Sequence, residues 1–313
     1  MSTPNPTDLR IVSLLPSATE IVCRLGFEDQ LVAISHECDF PSTITDLPRI
    51  TSSKVSFSFD SLAIDKDVRR LLEHALAVYD IDTVALERLA PDVIVTQDLC
   101  DVCAVSLADV EAACAEVVPG ARIANLHPTR WGEVLDDIRS TAVTLGAPMR
   151  GDAVCAELEA GRAAVRDRCP ADHKPKVLTI EWLDPVMIGG TWMPELVADA
   201  GGEALVTVPG DHAPTLDRDA LANLRPDVVL LKPCGFDLAR SHAEDALIAR
   251  QLDGLPWPAL EQGRVYLADG NAFFNRPGPR LLESLEILAA CVHPEVFGDL
   301  AERHASSFER LAL

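Results

Sequence analysis

Short apolar runs alternate with stretches of helical period along this chain. Ile11–Leu15, Leu31–Ser35 and Val93–Thr96 read as strands buried on both faces, and Arg122–Leu126 as a further strand. Pro16 opens a helix, with Ser17 as the expected N-cap and Glu20 three residues on; Gly26 ends it. Ala108–Val117 is a second helix. From Trp131 to Cys169 no strand pattern occurs. Trp131–Leu145 and Arg150–Cys169 read as helices broken at Gly146-Ala147-Pro148. Strands resume at Lys176–Ile180, Val228–Leu231 and Arg264–Leu267, and Leu281–Cys291 is a closing helix. Strand–helix alternation of this kind predicts an α/β protein with parallel sheets.

The two halves echo each other. Ala85-Leu86-x-x-Leu89-x-Pro91-Asp92-Val93 recurs 135 residues later as Ala220-Leu221-x-x-Leu224-x-Pro226-Asp227-Val228. Glu20-Ile21-Val22-x-x-x-Gly26 recurs as Glu195-Leu196-Val197-x-x-x-Gly201, in the same order relative to the first. Two similar Rossmann-like lobes are therefore expected at 1–130 and 175–313, with 131–174 as a helical linker.

Charge narrows the partners. The formal net charge of −22 repels nucleic acid and anionic membranes, and no apolar run reaches the roughly 18 residues of a membrane span. Residues 1–10 lack a basic start and an apolar stretch, so no secretory signal is read there and a cytoplasmic address is expected; a signal removed from the chain would make it periplasmic or cell-surface. The odd count of nine Cys fits reduced thiols better than a disulfide framework.

In open α/β sheets, ligands bind beyond the carboxyl ends of strands. The residues there are Pro16 and Ser17, then His36, Glu37 and Cys38, then Gln97 with Cys100 and Cys103 beyond it. In the second half they are Trp182, then Cys234 and Phe236, then the segment Asp269–Arg280. That segment carries Asn271, Phe273, Phe274, Arg276 and Arg280, which combine flat apolar faces with bidentate anion binders. Trp182 and Trp192 flank Gly189-Gly190 and would form an aromatic wall, or else belong to the core. His36, Cys38, Cys100, Cys103 and Cys234 would make a zinc or iron site if their loops converge. Cys100-x-x-Cys103 also has the spacing of a redox pair, and the thiols would otherwise only line a ligand site. No phosphate-binding loop, dinucleotide fingerprint, nucleophile elbow or HExxH occurs, so no recognisable catalytic motif marks an enzyme.

Taken in order, Arg10-Ile11-Val12-Ser13-Leu14-x-Pro16-Ser17-x-Thr19-Glu20, Ile34-Ser35-x-x-x-Asp39-Phe40-Pro41, Leu89-x-Pro91-Asp92-Val93-Ile94, Gly263-Arg264-Val265-Tyr266 and Arg276-Pro277-Gly278-Pro279-Arg280 resemble the helical-backbone class of ABC-transporter substrate-binding proteins. Within that class the sequence is most similar to the cobalamin (vitamin B12) binders. The resemblance implies two lobes joined by one long helix, and a corrinoid or similar large metal chelate bound in the cleft between them. It implies an aromatic lining at Trp182 and at Phe273 or Phe274, with Glu37 where an aromatic is usual. It also implies docking to a transporter permease through one acidic residue per lobe, for which Glu20 and Glu195 hold comparable places. The alternative is a cytosolic Cys/His metal-dependent enzyme or metal sensor on the same fold.

Overall fold

The computed structural model describes residues 8–55, 60–73, 79–97 and 107–312. The chain divides into two compact units. The first comprises Met1–Phe59, Lys66–Pro128 and Gly132–Glu157; the second comprises Asp60–Asp65, Thr129–Trp131 and Leu158–Leu313.

The elements run β1 (Ile11–Ser13), α1 (Pro16–Arg24), β2 (Leu31–Ala33), β3 (Thr51–Ser53), α2 (Ser61–Glu73), β4 (Tyr79–Ile81), α3 (Thr83–Leu89), β5 (Val93–Gln97), α4 (Leu107–Val117), β6 (Arg122–Leu126), α5 (Trp131–Thr144) and α6 (Pro148–Arg166). A four-stranded sheet has the order β2-β1-β5-β6, and every pairing in it is parallel. Its central strands β1 and β5 are buried at every position, as a parallel sheet covered on both faces requires. A separate antiparallel pair, β3–β4, carries Thr51 opposite Ile81. β3 is wholly polar and β4 has only Tyr79 and Ile81 about a single Asp, so neither three-residue strand stands out as an apolar run.

The helix after β1 departs from expectation at its cap. Leu15 is the N-cap and Pro16 the first helical residue, so Ser17 lies inside the first turn. A proline with fixed φ and no N–H suits that first position, and the Ser17 hydroxyl is released for the strand ends. Gly26 leaves the helix at φ +76°, as expected of a glycine stop. The turn between α5 and α6 uses Gly146 at φ +79°, followed by Pro148 at the start of α6. The division between the units falls within α6, between Glu157 and Leu158.

The second unit continues with β7 (Lys176–Leu183), β8 (Val186–Ile188), α7 (Met193–Asp199), β9 (Glu203–Ala204), α8 (Arg218–Asn223), β10 (Val228–Leu231), α9 (Leu238–His242), α10 (Asp245–Leu252), α11 (Pro258–Glu261), β11 (Val265–Ala268), α12 (Leu281–Val292), α13 (Gly298–Arg303) and β12 (Phe308–Arg310). Its sheet has the order β12-β11-β10-β7-β8, with β9 also on β7. The centre is parallel, but β8 and β12 pair antiparallel. The strand β7 runs three residues past Ile180 because β8 folds back on it, pairing Trp182 with Met187. Glu181 and Trp182 therefore sit on a strand and not on a loop. The core includes fully buried Trp257, whose Nε1 donates to the Leu221 carbonyl at 2.9 Å. No described helix is long and apolar enough to cross a membrane.

Candidate functional site

Chemistry in the first unit gathers where β1, β2 and β5 end. Ser17 and Gln97 are both buried, and the Ser17 hydroxyl lies 3.5 Å from Gln97 Oε1. Pro16 is half-buried beside them in sequence. The loop after β2 is clamped by Arg49, whose Nη1 donates to the carbonyls of Ser35, His36 and Cys38 at 3.1, 2.7 and 3.1 Å. Within that loop Thr51 Oγ1 donates to Ser35 Oγ at 2.9 Å and accepts the His36 backbone N–H at 3.0 Å. The 2.7 Å contact between Thr51 Oγ1 and His36 Nδ1 then uses the imidazole as donor, which leaves the lone pair on Nε2. Nε2 is buried and has no hydrogen-bond partner among the described residues. Burial, and then the neighbouring Arg49 charge, hold the His36 pKa below its ordinary value, so the ring is neutral near pH 7.

Tyr79 carries no strand-end signal in the sequence, because it lies on the three-residue β4, away from the parallel strand ends. Its ring lies 5.2 Å from that of His36, and its hydroxyl donates to Glu37 Oε1 at 2.8 Å.

In the second unit the strand ends hold a buried ammonium. Lys232 follows β10 directly and is 1% exposed. Its Nζ donates to Glu181 Oε2 at 2.8 Å and to Asn275 Oδ1 at 2.7 Å. Asn275 returns its Nδ2 to the carbonyls of Lys232 and Gly270 at 3.2 and 2.8 Å. Gly270 makes this approach possible, because a Cβ there would lie 2.1 Å from the Pro233 carbonyl. Lys232 directly follows a strand and Asn275 lies within Asp269–Arg280, but neither is singled out in the sequence as a ligand contact. A lone Lys after an apolar strand is the only trace of this cluster, and such a Lys is usually solvated.

The aromatic candidates separate into two groups. Trp182 and Phe273 are half-buried, as are Asn271 and Arg280. Trp182 packs against Phe236 at 5.3 Å, and its Nε1 is buried without a hydrogen-bond partner among the described residues. The Arg280 guanidinium lies 5.4 Å from the Phe273 ring centroid, and His304 meets the same ring edge-on. Trp192 and Phe274 are instead 4% and 1% exposed, and Trp192 Nε1 donates to the Phe274 carbonyl at 2.8 Å. This pair belongs to the core, and Phe236 at 2% exposed is buried too, so of the expected Trp182–Trp192 wall only Trp182 stays half-buried, packed on the Phe236 ring. Arg276 is buried, and its Nη2 donates to Asn271 Oδ1 at 2.9 Å.

Of the expected zinc or iron set, the described members His36, Cys38 and Cys234 form no metal site. Among the described residues no group of three or more His, Cys, Asp or Glu is placed to hold an ion. Cys38 is 1% exposed with its Sγ 3.0 Å from Thr19 Oγ1, so it packs as a small core side chain. His36 Nδ1 is engaged by Thr51, and Cys234 is half-buried in the loop after β10. Cys100 and Cys103 lie outside the described residues. The two expected docking acids also differ from expectation. Glu20 is 4% exposed, and Glu195 Oε2 accepts the Trp131 backbone N–H at 2.7 Å, so it caps the start of α5.

No curated protein matches this chain. Solved structures do. A periplasmic heme binding protein from Pseudomonas aeruginosa is 20% identical over 92% of this chain and 94% of its own, with a TM-score of 0.67. The periplasmic vitamin B12 binding protein BtuF of Vibrio cholerae is 18% identical over 93% and 98%, with a TM-score of 0.67. An ABC transporter substrate-binding protein from Listeria monocytogenes EGD-e is 16% identical over 92% and 99%, with a TM-score of 0.68. At these identities the likeness is one of fold. The sequence itself matches the family described as periplasmic binding protein over residues 11–272. A family of binding proteins agrees with the expectation of a binder over a catalyst, and its periplasmic character lends no support to a cytoplasmic address. With that match covering most of the chain, in two α/β units of parallel-centred sheets, the protein belongs to the periplasmic binding protein family.

Proposed function

We propose that this chain captures a metal-chelating macrocycle of the corrinoid or haem type and delivers it to an ABC transporter. The observation that carries this reading is a pair of buried ring nitrogens without partners among the described residues, His36 Nε2 in the first unit and Trp182 Nε1 in the second. Buried polar groups are nearly always hydrogen-bonded, so both ring nitrogens are open to a partner that the described residues do not supply. A neutral imidazole with its lone pair on Nε2 is a ligand for the cargo's metal. Its other nitrogen is held by Thr51, which fixes the ring as an outer hydrogen bond does in metal sites. The Trp182 indole offers a flat face to a macrocycle and a donor to its peripheral carbonyl or carboxylate groups. Cargo reaching Nε2 has to displace a neighbour, and Tyr79, in ring contact with His36, is the aromatic that would move. The neighbours named for heme and for vitamin B12 support this class of ligand.

The test is a titration of purified protein with haemin and, separately, with aquocobalamin, followed by visible absorbance and calorimetry. Saturable binding of one probe, with a spectral change lost in His36→Ala, is expected. Unaltered spectra and no heat with both probes would overturn the proposal.

A further inference from the structure

A chain of contacts leads from the packed Trp182–Phe236 pair of the second unit to the first turn of α2. Arg240 lies over Phe236, its guanidinium carbon 4.0 Å from the ring centroid. The same guanidinium donates to Glu244 Oε1 at 3.0 Å. Glu244 is 5% exposed, and its two oxygens also receive the Ser61 backbone N–H at 2.9 Å and the Ser61 hydroxyl at 3.0 Å. Ser61 is fully buried and opens α2, and this turn belongs to the second unit. The next residue back, Asp60, accepts the Ala63 N–H at 2.8 Å, so the turn is held from both sides.

We infer that Glu244 is a positioning residue that holds Arg240 flat on Phe236 and thereby ties the packed Trp182–Phe236 pair to the start of α2. A buried carboxylate is stable only when its lone pairs are filled, and three donors converge on this one. Its charge also sits favourably beside the free N–H groups of a helix N-terminus. Arg240 therefore has one arrangement that satisfies both Glu244 and the Phe236 face, to which a cation is drawn by the ring quadrupole. A ring that shifts under cargo shifts Arg240, and with it the acceptor of the Ser61 amide. Linkage is reciprocal, so tightening at either end tightens the other. The cargo step of this inference rests on the proposed function; the link between ring and helix does not.

The experiment is amide hydrogen exchange at Ser61–Ala63, with Val228–Leu231 of β10 as the control for opening of the whole unit. In protein without cargo, Phe236→Leu removes the ring face at similar volume, and Arg240→Lys keeps the charge without the planar stack. Both are expected to speed exchange at the start of α2 about fivefold, while β10 and the Phe236→Tyr variant stay at the wild-type rate. If Phe236→Leu fails to fold, Arg240→Lys alone decides. Wild-type exchange in the variant or variants that fold would overturn the inference, as would acceleration at β10 equal to that at α2. A second arm adds haemin or aquocobalamin to the wild type, and slower exchange at Ser61–Ala63 is expected on binding. A probe that binds yet leaves this segment unaltered would overturn the cargo step. If neither probe binds, the proposed function fails while the cargo-free arm still decides the link.

Discussion

Removing the Glu181 carboxylate leaves the Lys232 ammonium buried with a single neutral acceptor, Asn275 Oδ1. Breaking a buried pair by deleting one partner costs about 3–5 kcal/mol, because the remaining charge is uncompensated. The Glu181 side chain is 24% exposed, so water screens part of the pair, and the lower figure, about 3 kcal/mol, applies to Glu181→Leu. Deleting the charge itself behaves differently. Lys232→Met keeps the aliphatic stem in its 1% exposed slot and leaves Asn275 Oδ1 without its donor, a cost of about 1 kcal/mol. The double variant has no charge to bury and is expected to lose only about 1–2 kcal/mol, so the two changes are strongly non-additive. All four Trp residues fall in the second unit, so intrinsic fluorescence during urea unfolding reports on that unit alone. With a urea slope of about 2 kcal/mol/M, Glu181→Leu should lower the midpoint by about 1.5 M, against about 0.5 M for Lys232→Met. A Glu181→Leu midpoint no lower than that of Lys232→Met would refute the reasoning, as would additive effects in the double variant.

Three further outcomes are expected. Burial, against an opposing hydrogen bond from the His127 backbone, pushes the Asp137 carboxyl up to about 7. The folded protein thus keeps a proton that the unfolded chain has already released, and this group weakens the fold as pH rises from about 4 to 7. Asp137→Asn should therefore raise the denaturation midpoint more at pH 8 than at pH 5, and equal gains at both pH values would contradict this. At Gly270, Ala would place its Cβ 2.1 Å from the Pro233 carbonyl and push the Asp269–Arg280 segment off the loop after β10, with a loss of about 3 kcal/mol or more. At Gly235 no atom lies within 4 Å of the new Cβ, and only the φ of +75° is strained, so Ala should cost about 1 kcal/mol; thermal melts that rank the two the other way would count against the argument. Because His36 titrates below its ordinary value, protons compete for Nε2 only in acid. Cargo ligated there should be held as pH falls through 6.5, and spectroscopic release with a midpoint at or above 6.5 would contradict that ligation.

Elements built from unbroken apolar runs were legible in the sequence, because burial on both faces leaves no other composition possible. Val93–Val95 and Val228–Leu231 are such runs, and both lie in central parallel strands. The pair β3–β4 and the edge strand β12 carry no such imprint, and the apolar β8 is only three residues long, since a short edge strand is set by what it pairs with. The helix start was displaced for a local reason: Ser17 has N-cap chemistry, but Pro16 before it takes the first helical position and moves the cap back to Leu15.

The site divides along the same line. Strand-end position was readable: His36, Gln97, Trp182 and Phe236 lie at or just beyond the carboxyl ends of β2, β5, β7 and β10. The direction in which a side chain turns there was not readable, because it depends on partners distant in sequence. Cys38 and His36 are two residues apart in one loop, yet Thr19 draws the thiol into the core and Thr51 takes the imidazole. Spacing alone treats the two as a ligand pair. The same dependence hid Lys232, whose burial is tolerable only because Glu181 and Asn275, 51 and 43 residues away, converge on its Nζ. A buried charge is thus invisible in one chain segment and obligatory once three are assembled. In this protein the residues most specific to the strand ends are the ones whose partners come from elsewhere in the chain, and two buried ring nitrogens there, His36 Nε2 and Trp182 Nε1, have no partner among the described residues.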